Sequence, residues 1–236
     1  MKEITIRIIY DNCKESKDLQ EGWGFSALIE TGDRTMLFDT GNDRDAFFSN
    51  TEKMGIDYRK ITDVIFSHKH RDHVAGCKEI LGKLSENCRV FLPKGFPSKI
   101  VPQNLQTQKV SDFQEIEKNV FSLVLKGGFF LYEQSLVLKT ENGLVVITGC
   151  AHPGIINILE TAQKKFNAPI YLVLGGFHLF RKNCRFVENV VNKFQALGIK
   201  KVAPCHCSGK LTIGRFQEAY QEDFYKIGTG TVLTID

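Results

Sequence analysis

The sequence predicts a mixed α/β (α+β) protein whose sheets are covered by helices, and three observations predict it. Strand-like and helix-like segments alternate along most of the 236 residues. Apolar residues make up 42% and charged residues 25%, a globular mix that excludes a disordered chain, a collagen-like repeat and a coiled coil. All six histidines fall just past a predicted strand, where α/β sheets gather their ligands and catalytic groups. No segment reads as an interdomain linker, so one domain, 1–236, is expected. Its 18 Phe supply much of the core volume.

The elements follow in order. Residues 4–9 alternate as a strand does, and 25–30 and 35–39 are the next two strands, the latter ending in Asp39-Thr40-Gly41. Asn42 is the expected cap of a helix carrying Phe47, Phe48 and Met54. Residues 64–67 are a short buried strand. A polar loop follows, then one helix in which Val74, Cys77, Ile80, Leu81 and Leu84 keep helical spacing. Pro93, Pro97 and Pro102 mark residues 93–108 as loop. Residues 121–125 are a strand, and 135–140 and 144–148 form a hairpin turned at Asn142-Gly143. The adjacent Phe129 and Phe130 read as core, with a pocket wall as the alternative. Ile155, Ile156, Leu159, Ala162 and Phe166 mark a helix, and 170–174 a strand. Phe186, Val190, Val191, Phe194 and Leu197 mark a helix closed by Gly198. Residues 201–203 are a strand, 214–224 a helix and 230–235 a last strand.

Charge and cysteine usage bound the function. Thirty-one Lys+Arg against 27 Asp+Glu leave a net charge of +4, too small and dispersed to argue for nucleic acid. No uncharged apolar run approaches the roughly 18 residues a membrane span needs, and the start lacks the apolar stretch of a signal peptide. A cytoplasmic protein is expected. The seven cysteines are odd in number, scattered and without a CxxC, so reduced thiols are expected.

The densest functional signal is His68-Lys69-His70-Arg71-Asp72-His73, four ligand-type side chains within six residues. In an extended loop His68 and His70 share a face, while Asp72 and His73 turn toward a second point. Imidazoles with a carboxylate suit zinc, iron, manganese or nickel. Lys69 and Arg71, at the alternating positions, are expected in solvent. Cys150, Cys205 and Cys207 lie near His152 and His206 in sequence and read as small buried hydrophobes, with a thiolate-containing metal site as the alternative.

The string HxHxDH after a short strand follows LFDTG (37–41) and precedes His152, the strand end LGGFH (174–178) and His206. This set, in this order, resembles the metallo-β-lactamase superfamily over essentially the whole chain. The resemblance implies an αββα sandwich, two mixed β-sheets flanked by helices, with a metal site along one edge. It implies one or two divalent ions, zinc first and manganese, iron or nickel as alternatives. His68, His70 and His152 would hold the first, and Asp72, His73 and His206 the second. Asp39 would stand behind them, accepting hydrogen bonds that fix the ligand loop.

One departure stands out. The superfamily usually carries an acidic bridging ligand at the strand end before the last histidine, and Leu174-Gly175-Gly176-Phe177-His178 has none. His178 either substitutes as a ligand or faces the substrate as a phosphate contact or proton donor. A neutral imidazole bridges two cations poorly, which favours the second. Asp72 and His178 are thus the candidate catalytic residues, and Ser208 a candidate donor to a substrate phosphate.

TGCAHPGI (148–155), LGGFHL (174–179) and PCHCSG (204–209) narrow the resemblance to a small subgroup that includes a dihydropterin–ribofuranosylaminobenzene phosphate synthase. The implied function is a metal-dependent hydrolase in which an activated water attacks a phosphate-containing, phosphodiester-like small molecule. The alternatives are a dihydropterin/phosphoribosyl-type transferase and a non-hydrolytic metal-binding or redox module. The expected partner is a small phosphorylated molecule, with no nucleic acid and no membrane. The sequence leaves the oligomeric state open.

Overall fold

The structure is a computed structural model that describes residues 3–32 and 34–235. The chain forms two compact units, residues 1–111 with 227–236, and residues 112–226.

The first unit contains β1 (Ile4–Tyr10), β2 (Ser26–Thr31), β3 (Arg34–Phe38), α1 (Arg44–Lys53), β4 (Asp63–Ile65), α2 (Arg71–Val74), α3 (Cys77–Leu81), β5 (Arg89–Pro93) and β6 (Gln106–Val110). The strand Val232–Ile235 completes its sheet beside β1. From that strand the order is β1-β2-β3-β4-β5-β6. Pairing is antiparallel as far as β3 and parallel from β3 to β6. Parallel neighbours need a crossover, and α1 and then α2–α3 provide the first two. Phe47, Val64, Phe66, Ile80 and Val90 pack into one buried cluster on this sheet.

The second unit contains β7 (Phe113–Glu117), β8 (Val120–Lys126), β9 (Tyr132–Thr140), β10 (Gly143–Thr148), α4 (Ile155–Phe166), β11 (Ile170–Gly176), α5 (Cys184–Ala196), β12 (Lys201–Cys205) and α6 (Lys210–Tyr220). Its sheet runs β12-β11-β10-β9-β8-β7. The pairs from β7 to β10 are antiparallel, and β10-β11-β12 are parallel. Helices α4 and α5 are the two crossovers. Their apolar stripes, with Ile158, Leu159, Val187 and Phe194, pack with Val146 and Val202 of the sheet. Each unit is thus a mixed sheet with helices, the class the sequence predicts.

Several elements differ from expectation, each for a local reason. Asp43, not Asn42, caps α1, its Oδ1 accepting from the Ala46 N–H at 3.0 Å. The helix expected around 74–84 is two short ones. Gly76 N–H leaves the helical ladder and donates to Thr40 Oγ1 at 3.2 Å, which interrupts the run. Residues 93–108 are not simply loop, since β5 ends at Pro93 and β6 begins at Gln106. β6 (QTQKV) and β7 (FQEIE) lie at sheet edges, where polar side chains are tolerated and no apolar run announces a strand. The β9–β10 turn is Glu141-Asn142, with Gly143 already paired to Thr140. Helix α6 starts four residues before the expected 214, and it buries Thr212 and Phe216 on one side. Phe129 and Phe130 are 89% and 82% exposed, so neither is core. Among the described residues no helix is long and apolar enough to cross a membrane.

All seven cysteines are free thiols. Burial pushes the thiols of Cys77 and Cys88 up, aided by Glu79 and Asp63 respectively, and Cys88 reaches about 12. Alkylation of the native protein near neutral pH is therefore expected to label exposed Cys13 first and to spare Cys77 and Cys88, as read by peptide mass spectrometry. Phe194 is fully buried, its ring 5.5 Å from Phe177 and 4.8 Å from Phe216. Phe194→Ala is expected to cost about 3–5 kcal/mol, measured by urea unfolding.

Candidate metal centre

In the first unit the site grows from the ends of β3 and β4. Asp39 follows β3 with a positive φ of 59°, and its amide donates to Ile65 O at the end of β4. The carboxylate is fully buried. Its Oδ1 accepts from the Ser67 N–H at 2.7 Å, and its Oδ2 accepts from Ser67 Oγ at 2.6 Å and lies 2.7 Å from His73 Nδ1.

These bonds set two imidazoles. A carboxylate only accepts, so the His73 nitrogen facing it carries the proton and Nε2 carries the lone pair. Ser67 spends its single hydroxyl proton on Asp39. Its oxygen then accepts from His68 Nδ1 at 2.9 Å, which leaves the His68 lone pair on Nε2. His68 Nε2 lies 3.1 Å from His70 Nδ1, and His73 Nε2 lies 3.7 Å from Asp72 Oδ2. The HKHRDH loop thus presents two convergent donor pairs. Lys69 and Arg71 are exposed. Trp23, the chain's one tryptophan, donates its indole N–H to Asp72 Oδ2 at 2.9 Å.

In the second unit the corresponding carboxylate is Glu133 on β9. It is 1% exposed. Oε1 accepts from the amides of Cys150 (2.8 Å) and Ala151 (2.7 Å). Oε2 accepts from the His152 amide at 2.8 Å and lies 2.7 Å from His152 Nδ1. Ala151, with φ 61°, turns the chain so that three successive amides face one carboxylate. By the same argument His152 presents an Nε2 lone pair. Glu133 was not anticipated, because the strand was read only from residue 135. The sequence gives it little signal, since Glu133 stands beside the polar Gln134 and Ser135 at the start of β9.

His178 and His206 follow β11 and β12, both at positive φ (55° and 47°). His206 is buried, and its Nε2 lies 3.3 Å from Cys150 Sγ. His178 is exposed, its ring 4.4 Å from that of His152. His152 and His178 face a cavity of about 490 Å³ whose lining includes Ile156, Lys182, Phe186 and Val190. Ser208 differs from expectation. Its hydroxyl is fully buried, accepts from the Phe177 N–H at 3.0 Å and so ties the β11 strand end in place instead of facing an anion.

Cys150, Cys205 and Cys207 are buried as expected. Ligand atoms of Cys150, Cys207 and His178 lie within 4.8 Å of one another. Burial raises the Cys207 thiol, but its contacts with Cys150 and His178 more than offset this and hold it below the ordinary thiol value. The imidazoles and carboxylate of the first unit, and the imidazoles and thiols of the second, are donor types that suit divalent transition metals, zinc above all.

A protein-family model described as "Anti-Pycsar protein Apyc1" matches residues 18–108. The chain is similar to the 7,8-dihydropterin-6-methyl-4-(beta-D-ribofuranosyl)-aminobenzene-5'-phosphate synthase of Methanocaldococcus jannaschii, 24% identical over 91% of this chain and 90% of that one. It is similar to the crystal structure of Tm1679, a metal-dependent hydrolase of the β-lactamase superfamily. Identity there is 31%, 98% of each chain is covered and the TM-score is 0.83. A diphosphatase from the PhnP family shares the fold at 11% identity, with 99% and 97% covered and a TM-score of 0.62.

Glu133→Gln sets an amide NH2 against backbone donors. It is expected to weaken metal retention about 10–100-fold, measured as metal content after dialysis against graded chelator. Because Trp23 bonds to Asp72, zinc added to metal-free protein is expected to change the indole emission. Trp23→Phe removes that signal without removing metal uptake.

Proposed function

Because the chain belongs to the metallo-β-lactamase superfamily, we propose that it is a metal-dependent hydrolase of a phosphate-containing small molecule, a phosphodiester-like ester. The observation that carries this reading is shared by His68, His73 and His152. Each has its Nδ1 engaged from within, by Ser67, Asp39 and Glu133, which leaves Nε2 for an ion. In this reading His68, His70 and His152 hold one divalent ion, and Asp72, His73 and His206 a second. Zinc is the first choice, with manganese, iron or nickel as alternatives. Such an ion, when bound, supplies Lewis acidity toward water and toward phosphoryl oxygen.

The chain's own groups do the rest. Lys182, on the cavity wall, offers positive charge to a phosphate. Ile156, Phe186 and Val190 offer an apolar wall to the organic part of the substrate. Asp72 accepts the proton that water gives up as it attacks phosphorus. The P–O bond to the leaving group then breaks, and His178 protonates the departing oxygen. The reading takes 1–236 as one catalytic domain. The seven free thiols support a cytoplasmic setting.

A second reading, a dihydropterin/phosphoribosyl-type transferase, draws on the similarity to the synthase and on the apolar wall, which suits an aromatic ring. There an organic nucleophile replaces water, with the same residues holding the metal. Product analysis separates the two readings, because only the transferase yields a joined product.

Metal-free protein is expected to gain turnover of a chromogenic phosphodiester when one of zinc, manganese, nickel or iron is restored. His68→Ala and His152→Ala are each expected to lower that rate by more than about 100-fold. Variants that keep both metal and rate would sink the assignment.

A further inference from the structure

The strand end that would carry the superfamily's acidic bridging ligand has no room for one. A Cβ on Gly175 would lie 2.0 Å from Thr148 O. On Gly176 it would lie 2.4 Å from Gly149 O and 2.6 Å from Cys207 Sγ. The closest obstacles are backbone carbonyls, which cannot swing aside as a long side chain does. Neither glycine can therefore carry an anionic ligand, and any such ligand in this unit sits at another position.

Cys150 is where such a ligand would be needed. Its Sγ lies 3.3 Å from His206 Nε2, and the residue is 3% exposed. Its amide donates to Glu133 Oε1, and the same carboxylate grips the amide and ring of His152. One buried group thus fixes both Cys150 and His152. We propose that Cys150 is a metal ligand, its thiolate joining His206 on the ion in place of the missing carboxylate. The inference rests on the metal-dependent reading above and deepens it. Coordination forms one metal–sulfur bond and releases the thiol proton to solvent. A thiolate biases the site toward zinc, cobalt and iron and away from manganese and magnesium.

Cys205 is the built-in control. It is as deeply buried and precedes His206, yet it belongs to none of the ligand-atom clusters among the described residues. Cobalt(II) added to the metal-free protein is expected to give a near-ultraviolet sulfur-to-cobalt charge-transfer band. Cys150→Ser loses that band and Cys205→Ala keeps it. Visible cobalt bands without charge transfer in the unmodified protein would overturn the Cys150 assignment and leave the metal-dependent reading standing. A charge-transfer band that survives in Cys150→Ser would overturn it too. No cobalt bound by elemental analysis would remove both. X-ray absorption of the zinc-loaded unmodified protein needs no variant. A sulfur scatterer at about 2.3 Å supports the inference, and a shell of nitrogen and oxygen alone overturns it.

Discussion

A buried carboxylate is costly unless its oxygens are filled, and Asp39 and Glu133 are filled by the very loops that carry the histidines. Asp39 lies 2.7 Å from His73 Nδ1 and holds Ser67 twice, and Glu133 lies 2.7 Å from His152 Nδ1 and accepts three amides. Each hydrogen bond to such a charged group contributes about 1.5–3 kcal/mol. Removing either acid would leave several donors stranded in the interior. Local strain follows from the same demand, since Asp39 and Ala151 adopt positive φ so that amides and carboxylate meet. Fold, ligand orientation and tautomer thus depend on two side chains that need touch neither ion nor substrate.

The two units solve this problem with the same parts in different order. In the first, the carboxylate stands at a strand end and the histidines follow on a loop entering α2. In the second, it sits inside β9 and its histidine lies past the neighbouring strand β10. An acid just after a strand, as in LFDTG, is visible in a sequence. An acid that acts across a strand pair is visible only once the register is known.

That difference explains much of what could be read beforehand. Long periodic elements such as α4 and α5, and the apolar strands β1, β10 and β11, are legible because burial imposes their pattern. The histidines are legible as a group because they cluster at strand ends. Polar edge strands such as β6 and β7 are not, since nothing forces alternation where one side meets water. Ser208 misled because a hydroxyl near a candidate ligand looks available, and only the structure shows it spent on Phe177 N–H. Cys150 is buried as the sequence predicts, while its contact with His206 spans 56 residues of sequence and is visible only in the structure.

The pairing of β1 with Val232–Ile235 bears on how the chain is made. During synthesis the second unit, residues 112–226, emerges whole and can close its own sheet. The first unit cannot. Its earliest strand keeps an open edge until Val232–Ile235 has emerged, more than 200 residues later, and the Asp11 amide waits for the Thr229 hydroxyl. An exposed strand edge is a template for wrong pairing, so the interval before that partner emerges is when this chain has most to gain from a chaperone.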